Sequence, residues 1–267
     1  MSGAAKGTTN KKAGPTRLMD LLLTVALLIV PIFAFLAHKA GFINVRGAVA
    51  GTLIAWALAA AGPGIFLIFL FFFISSSLLT RLRASWKAQH GLKDVAGRSI
   101  TQVVGVGTPM ALFALLYIAG VHVALSATAI SIAVATADTW ASEIGVAYGG
   151  RPRLITKPWV EVEPGTSGGV TLAGTLGGLL GAASVAILSY VILGLNPWVI
   201  GCFGFLGDVL DSIIGAVAQK KYICRGVVYD EPRCSDYVSY GYLTNEAVNL
   251  IVESALGLAF ILSALFL

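Results

Sequence analysis

The sequence predicts an all-α fold, a polytopic transmembrane helical bundle. Hydrophobic residues make up 57% of the 267 residues, charged residues make up only 12%, and the mean hydropathy is +0.86. Apolar stretches of roughly 20 residues, the length at which a helix crosses a bilayer, recur from Leu18 to Leu267. We therefore expect residues 18–267 to form a single integral membrane domain. The Gly- and Lys-rich residues 1–17 are expected to form a disordered basic tail.

Eight apolar segments account for the predicted helices, and the Gly-Pro-Gly sequence at residues 62–64 separates the second from the third. Without that break, residues 48–79 would form a helix of about 48 Å, longer than the roughly 30 Å of a hydrocarbon core. Gly and Pro commonly end helices, so the sequence predicts about seven to eight spans. The predicted segments are 18–37, 48–61, 65–79, 100–119, 121–137, 170–193, 198–218 and 247–266.

Three polar loops, residues 80–99, 138–169 and 219–244, are each separated from the next by two predicted spans. All three are therefore expected on the same side of the membrane. They hold most of the Lys and Arg residues outside the N-terminal tail, and basic loops of this kind remain in the cytoplasm. An eight-span arrangement places the basic tail on the opposite side, and a single crossing by residues 48–79 would remove that conflict.

The net charge of +5 follows from these basic loops and does not indicate a nucleic-acid partner. The three cysteines form no CxxC sequence and no Cys/His cluster, which argues against a zinc site or a disulfide framework. Cys224 and Cys234 nevertheless share a loop and could meet. The sequence leaves the oligomeric state open, and a homo-oligomer is one alternative.

Four carboxylates stand at or within the apolar segments: Asp138 and Glu143 follow one, and Asp208 and Asp211 lie inside another. Ionised carboxylates are costly in a bilayer, so they usually face the interior of a bundle and bind ions or polar partners. Hard oxygen ligands from two helices suit Mg²⁺, which prefers one or two carboxylates together with substrate phosphates. The alternative is that these carboxylates only accept hydrogen bonds from neighbouring residues.

Helical spacing arranges these acids and two serines. Asp208 and Asp211 share a helix face, and Ser212 lies one turn beyond Asp208. Asp138 and Ser142 are also four residues apart, whereas Glu143 lies further round the helix. The helix must therefore end or bend if Asp138 and Glu143 serve one ion.

A glycine-rich turn, PGTSGGVT, lies between these acidic helices and leads into an apolar helix. A turn of this kind presents free N–H groups and the positive end of a helix dipole, which suits phosphate. Basic side chains stand upstream and can add charge-assisted contacts. The alternative is a flexible loop followed by close helix packing through glycines. The predicted phosphate-binding residues are Lys157, Gly165, Thr166, Ser167, Gly168 and Gly169.

Two further polar groups are candidates for binding. Asn245 and Asn249 lie one turn apart near the start of the last helix, where they can bind substrate or join helices. Arg98 and Gln102 lie four residues apart, where they can reach the phosphates or mark the membrane interface.

The order and spacing of ADTWASEIG, RPRLIT, PGTSGGVT, GDVLDSIIGA and LTNEAVN resemble the membrane protein family that includes chloroplast phytyl-phosphate kinase and many prokaryotic members. The resemblance extends over residues 41–267. The sequence also resembles, more distantly, the dolichol and phytol kinases and the phosphatidate cytidylyltransferases. One departure is QVVGVG at residues 102–107, where members of the family carry a Gln-Val-Leu-Ala-Asn-Gly-like stretch.

This resemblance implies phosphoryl transfer from a nucleoside triphosphate, CTP in particular, to an isoprenyl monophosphate such as phytyl or geranylgeranyl phosphate. It implies an active site at the cytoplasmic interface of a prokaryotic cell membrane, in contact with membrane lipids. In that reaction Asp138, Asp208 and Asp211 would bind Mg²⁺, with Glu143 as a further ligand or a neighbouring partner. Lys157 and the glycine-rich turn would hold the nucleotide phosphates, while Ser142, Ser212, Arg98 and the two asparagines would support the reactants.

Two other functions fit parts of the sequence. An enzyme with the same metal site could transfer a nucleotidyl group from CTP to a lipid phosphate and release pyrophosphate. A transporter could instead use the intramembrane acids to bind a coupling ion. The acids are close in sequence to a glycine-rich turn and to basic residues, and the two halves show no convincing repeat, so transport is the less favoured of the two.

Overall fold

The computed structural model describes residues 15–89, 97–230 and 232–266, and the chain it describes is mainly helical. Most of the predicted tail lies outside these residues, and helix α1 begins at Pro15, so the boundary at residue 17 stays a prediction. Proline suits the first position of a helix because its missing N–H has no helical partner there. The helices are α1 Pro15–Lys39, α2 Val45–Ala61, α3 Pro63–Thr80, α4 Ala84–Gln89, α5 Ile100–Ile118, α6 Ala124–Tyr148, α7 Leu172–Leu193, α8 Pro197–Val217 and α9 Asn245–Phe266.

Local capping explains where several helices begin. Asn44 accepts a hydrogen bond from the N–H of Gly47 at the start of α2, and Ser99 forms a capping box with Gln102 at the start of α5. Gly62, with φ of 141°, separates α2 from α3. The predicted break at the Gly-Pro-Gly sequence is therefore confirmed.

A polytopic helical membrane protein is the architecture that these helices support. By length and apolar composition, five of the described helices can cross a membrane: α3, α5, α7, α8 and α9. Helix α2 and residues Thr24–Lys39 of α1 are also apolar but shorter. The prediction of seven or eight crossings therefore remains a prediction.

Helix α6 lies at the centre of the bundle, where it packs against α3, α5, α7, α8 and α9. Every residue from 127 to 137 is buried, and most of them are small. The sequence prediction ended this helix near Ala137, but α6 continues to Tyr148 and includes Asp138 and Glu143. The helix thus does not end between the two acids, and Glu143 pairs with Lys87 beside it, so the sharing of one ion by Asp138 and Glu143 stays a prediction.

Two small antiparallel sheets occupy connections that were predicted only as loops. Strands β1 Arg153–Leu154, β2 Lys157–Glu161 and β3 Gly169–Val170 form one sheet in the order β2-β1-β3. Strands β4 Lys221–Cys224, β5 Val227–Tyr229 and β6 Val238–Tyr240 form the other in the order β5-β4-β6. The strands are too short for an alternating pattern to be recognised in the sequence.

A disulfide joins Cys224 to Cys234, ten residues apart in the connection between α8 and α9, which we call the second connection. The spacing of the cysteines argues against a disulfide framework, but the loop that Cys224 and Cys234 share allows this single pair to meet. Their pairing closes the loop that contains strand β5.

The connections after α1, α3, α6 and α8 lie together at one end of the bundle, which we call the loop face. Ile43 forms a bridge with Arg98, and the guanidinium of Arg83 donates to the carbonyl of Ala147 at 2.6 Å. The N–H of Ser167 donates to Asp230 at 3.0 Å. These contacts join all four connections, as expected for loops on one side of a membrane.

Candidate active site

A cavity opens between α2, α3, α5, α6 and α9 near the loop face. Its polar lining comprises Thr80, Arg98, Gln102, Asp138, Thr139, Ser142, Glu143, Asn245, Glu246 and Asn249. Its apolar lining comprises Ile43, Gly51, Ile54, Phe69, Phe72, Phe73, Val103, Val106 and Gly107. The structure therefore brings together seven candidate residues of the sequence analysis, from α5, α6, α9 and the segment before α5.

The polar and apolar parts of the lining are separated along the helices. On α3, Thr80 lies nearest the loop face and Phe69 lies deepest. On α5, Gln102 similarly precedes Gly107 as the chain leaves the loop face. The cavity is therefore amphiphilic, with its polar end towards the loops.

Three carboxylates on α6 and α8 interact electrostatically. Asp208 and Asp211 are buried, with 5% and 8% of their surfaces exposed, and the charge of Asp138 acts on both. The structure therefore places the three predicted metal ligands in one electrostatic cluster, although only Asp138 lines the cavity. Gly178 of α7 makes this packing close, because a Cβ atom there would collide with the carboxylate of Asp208.

Glu253 of α9 is a fourth acid in this region that the sequence prediction missed. It is 1% exposed, its Oε2 has no hydrogen-bond partner, and the charges of Asp138 and Asp211 act on it. Helical spacing could have identified it, because Asn245, Asn249 and Glu253 recur every four residues along one face of α9.

Asn249 lies one helical turn before Glu253 on the same face of α9. It lines the cavity, is 8% exposed, and has an Oδ1 atom without a hydrogen-bond partner. A buried amide oxygen is costly unless a donor satisfies it. A donor group of a bound ligand would meet this need.

Glu143 forms an ion pair with Lys87 of α4. Both side chains are almost completely buried, and Lys87 also donates to the carbonyl of Thr80 at 3.0 Å. The pair therefore fastens α4 and the end of α3 to α6. This contact gives Glu143 a structural role, and its predicted catalytic role is untested.

The glycine-rich turn leads directly into α7. Its Gly169 and Val170 form strand β3, and its last residue, Thr171, caps α7 by accepting a hydrogen bond from the N–H of Gly174 at 3.0 Å. The turn also packs on the end of α8, where Gly168 lies against Ala216 too closely for a Cβ atom. The predicted position of the turn before an apolar helix is therefore confirmed, and its binding of phosphate stays a prediction.

The donors of Ser167 in this turn are directed at a carboxylate of the second connection. Its N–H and its hydroxyl both donate to Asp230, and Gln219 donates to the same carboxylate at 3.3 Å. Lys221 is fully buried and pairs with Asp230 at 3.4 Å. Burial lowers the pKa of Lys221, while the charge and hydrogen bond of Asp230 oppose that change.

The remaining predicted phosphate-binding residues lie outside the cavity lining. Lys157 is exposed at the start of β2, Gly165 is exposed, and Thr166 is buried with its N–H donating to the carbonyl of Glu163 at 3.1 Å. The N–H of Gly169 donates to Thr166 at 2.9 Å. Ser212 is half-buried beside Asp211 on α8.

The carboxylates provide the ligand type that Mg²⁺ prefers, namely hard oxygen atoms. Within the described residues, no three His, Cys, Asp or Glu side chains converge closely enough to hold a metal ion by themselves. Mg²⁺ commonly uses one or two carboxylates and completes its coordination with water and phosphate. The donor set therefore fits a metal that binds together with a phosphorylated substrate.

Comparison with known proteins identifies relatives over most of the chain. The model of the family described as integral membrane protein DUF92 matches residues 28–257. The uncharacterized membrane protein MJ0933 of Methanocaldococcus jannaschii is 32% identical over 233 residues, covering 86% of this chain and 89% of that protein. Protein PGR of Arabidopsis thaliana is 29% identical over 248 residues, covering 79% of this chain and 84% of that protein.

The uncharacterized membrane protein sll0875 of Synechocystis is 31% identical over 210 residues, covering 73% of this chain and 74% of that protein. No solved structure matches the chain. The family match spans helices α2 to α8 and the part of α9 that holds Asn249 and Glu253. The chain therefore belongs to the DUF92 family of integral membrane proteins.

Proposed function

We propose that the protein transfers a phosphoryl group from a nucleoside triphosphate, CTP in particular, to an isoprenyl monophosphate such as phytyl or geranylgeranyl phosphate. The product is the isoprenyl diphosphate. The observation that carries this proposal is the amphiphilic cavity, which has an apolar interior among membrane helices and a polar end beside clustered carboxylates. A lipid phosphate has the same division between apolar chain and charged head.

The clustered carboxylates support phosphoryl transfer in particular. Asp138, Asp208 and Asp211 bring like charges together among apolar helices, an arrangement that is costly unless cations neutralise it. Mg²⁺ at Asp138 and its neighbours on α8 would supply the positive charge that two phosphorylated reactants need to approach each other. Mg²⁺ is accordingly the proposed cofactor.

The acceptor phosphate is already ionised, so this chain needs no strong general base. Its residues position the reactants and exclude water from the apolar part of the cavity. We assign the nucleotide to the side of α8 and the first small sheet, where Lys157 is exposed and the glycine-rich turn packs on the helix. The basic loop face then corresponds to the cytoplasm, where nucleotides are available.

Product analysis with labelled CTP and Mg²⁺ tests the proposal on the purified protein in detergent. We expect equal amounts of CDP and isoprenyl diphosphate. Release of pyrophosphate with a CDP-linked lipid would instead identify nucleotidyl transfer and refute the kinase. A screen of isoprenyl monophosphates against the four nucleoside triphosphates then identifies the preferred pair.

A further inference from the structure

The cavity has the lining expected of a site for a single-chain lipid. Along α3, Thr80 at the polar end and Phe69 at the apolar end are eleven positions apart, which corresponds to about 16 Å along the helix axis. Phe72 and Phe73 line the wall between them. A chain that enters from the polar end would therefore pass several aromatic rings before the cavity closes.

Helices α2 and α5 close the deep part of the cavity. Gly107 of α5 lies against Ile54 of α2 so closely that a Cβ atom at Gly107 would collide with the isoleucine side chain. Both residues are part of the lining. This contact limits the space available beyond them.

Gly51 lies one helical turn nearer the loop face than Ile54 and has a different environment. A Cβ atom there would make only ordinary contacts, 3.6 Å from Ile43 and 3.8 Å from Val103, and both of these residues also line the cavity. A methyl group is therefore tolerated at Gly51. A longer side chain would extend into the space of the cavity above the Ile54 contact.

The polar end contains groups suited to a phosphate head. The guanidinium of Arg98 lies 5.6 Å from the ring centroid of Phe72, at the boundary between the two parts of the lining. Asn249 lines the same end, is buried, and has an unpartnered Oδ1 atom that could accept a hydrogen bond from a protonated phosphate or a bound water. Charge, polarity and an unsatisfied buried atom thus coincide where the apolar chain would begin.

We propose that this cavity is the acceptor site, with the isoprenyl monophosphate head beside Arg98 and its chain along α3, and that Gly51 sets the length of chain accepted. This inference rests on the proposed function, because it names the place of the lipid substrate in that reaction. The nucleotide does not enter the cavity. Chain selectivity therefore belongs to the contact between α2 and α5.

Binding of isoprenyl monophosphates of five, ten, fifteen and twenty carbons, measured without nucleotide, tests the assignment. In the natural protein, affinity is expected to rise with chain length. In Gly51→Leu, affinity for the longer chains is expected to fall about tenfold, since at least two methylene groups lose their burial, while the five-carbon ligand is unaffected. The same dependence on chain length in both proteins would overturn the proposal.

Gly201→Ala and Gly51→Ala are the matched controls for Gly51→Leu, because each adds only a methyl group at a glycine. A Cβ atom at Gly201 also makes only ordinary contact, 3.4 Å from Ala186, and Gly201 is outside the cavity lining. We expect Gly201→Ala to leave the chain-length series unchanged. If Gly51→Leu does not fold, photolabelling of the natural protein with a diazirine-bearing isoprenyl phosphate provides the decision: labels in α3 and α5 support the site, and labels confined to α7 and α8 overturn it.

The binding series separates this inference from the proposed reaction. One outcome is that affinity rises with chain length in the natural protein, that Gly51→Leu weakens this rise, and that CTP yields no product. It would refute the kinase and retain the lipid site. Product formation with an unaltered chain-length series in Gly51→Leu would retain the kinase and refute the assignment of Gly51.

Discussion

At the scale of single residues, burial distinguishes Asp208 and Asp211 from the exposed carboxylates of the loops. Asp208 is 5% exposed on α8, and Asp138 acts on it electrostatically from α6. By contrast, Asp236 is exposed in the second connection. Burying the carboxylate of Asp208 among membrane helices costs free energy that an exposed carboxylate such as Asp236 does not cost. A functional role for Asp208 would account for that cost.

We expect Asp138→Asn and Asp208→Asn each to lower CTP- and Mg²⁺-dependent turnover about 100-fold or more, because each removes a negative charge from the proposed Mg²⁺ site. Both variants should remain folded, since asparagine keeps the shape of the side chain. Turnover of labelled CTP and the elution volume in detergent measure the two effects. Asp236→Asn is the control, and unchanged turnover in both active-site variants would refute the cluster.

Sequence spacing identified several individual residues but not their partners. It placed Asp208 and Asp211 on one face and predicted that they face the bundle interior, and both are buried. It could not identify Lys87 as the partner of Glu143, because 56 residues separate them and only packing of α4 against α6 brings them together. Asp230 was missed for the same reason, since it meets Ser167 from a different connection.

At the scale of elements, the Lys87–Glu143 pair determines how α4 is held against the bundle. Removing one partner from a buried ion pair leaves an uncompensated charge, whereas replacing both with apolar residues is often nearly neutral. We expect Lys87→Met to cost about 3–5 kcal/mol and the double variant Lys87→Met/Glu143→Leu to recover most of that loss. Thermal denaturation in detergent measures both.

Turnover of the double variant decides the role of Glu143. If Glu143 only anchors α4, the recovered protein should also recover its turnover. A stable double variant without turnover would show that Glu143 takes part in the reaction, as the sequence analysis first predicted.

The second small sheet depends on the pairing of Lys221 with Asp230. Burial lowers the pKa of Lys221, so the folded state disfavours its charged form, and the cost is present below the lowered pKa and disappears as pH rises towards the usual 10.5. Asp230→Asn removes the charge that opposes this effect and leaves one acceptor oxygen where Lys221 and Ser167 now use two. We expect a loss on the order of 3 kcal/mol at pH 7.

The difference between Asp230→Asn and the natural protein should shrink as pH rises towards 10.5, because Lys221 loses its charge at a lower pH in the folded state than in the unfolded state. Burial and then the charge of Asp230 raise the pKa of Tyr240 above the usual 10, so the trend is followed below that pH. Melting temperatures at several pH values measure the trend. A difference that grows with pH would contradict the assignment of the ion pair.

The elements themselves could be predicted from the sequence to different degrees. The long helices follow from apolar length and from capping residues such as Ser99 and Pro63, which act locally. The end of α6 was misjudged because Asp138 and Glu143 interrupt the apolar pattern while the helix continues through them. The strands depend on pairing across residues such as Arg153 and Val170, which no local pattern specifies.

At the scale of the whole molecule, the alternation of helices places the basic residues and the polar end of the cavity on one face. The described Lys and Arg residues from Lys39 onward lie in the loop-face connections or in helix turns beside them. The opposite connections, between α5 and α6 and between α7 and α8, contain none in the described chain. This asymmetry predicts that the loop face is cytoplasmic.

Cysteine labelling tests that orientation in intact cells, in a protein whose free Cys202 is replaced by serine. Lys157→Cys places a thiol at an exposed position on the loop face, and Trp198→Cys places one at an exposed position at the opposite end. A membrane-impermeant maleimide should label Trp198→Cys in intact cells and Lys157→Cys only after lysis. The reverse pattern would move the candidate site outside the cytoplasm, away from the nucleotide that the proposed reaction consumes.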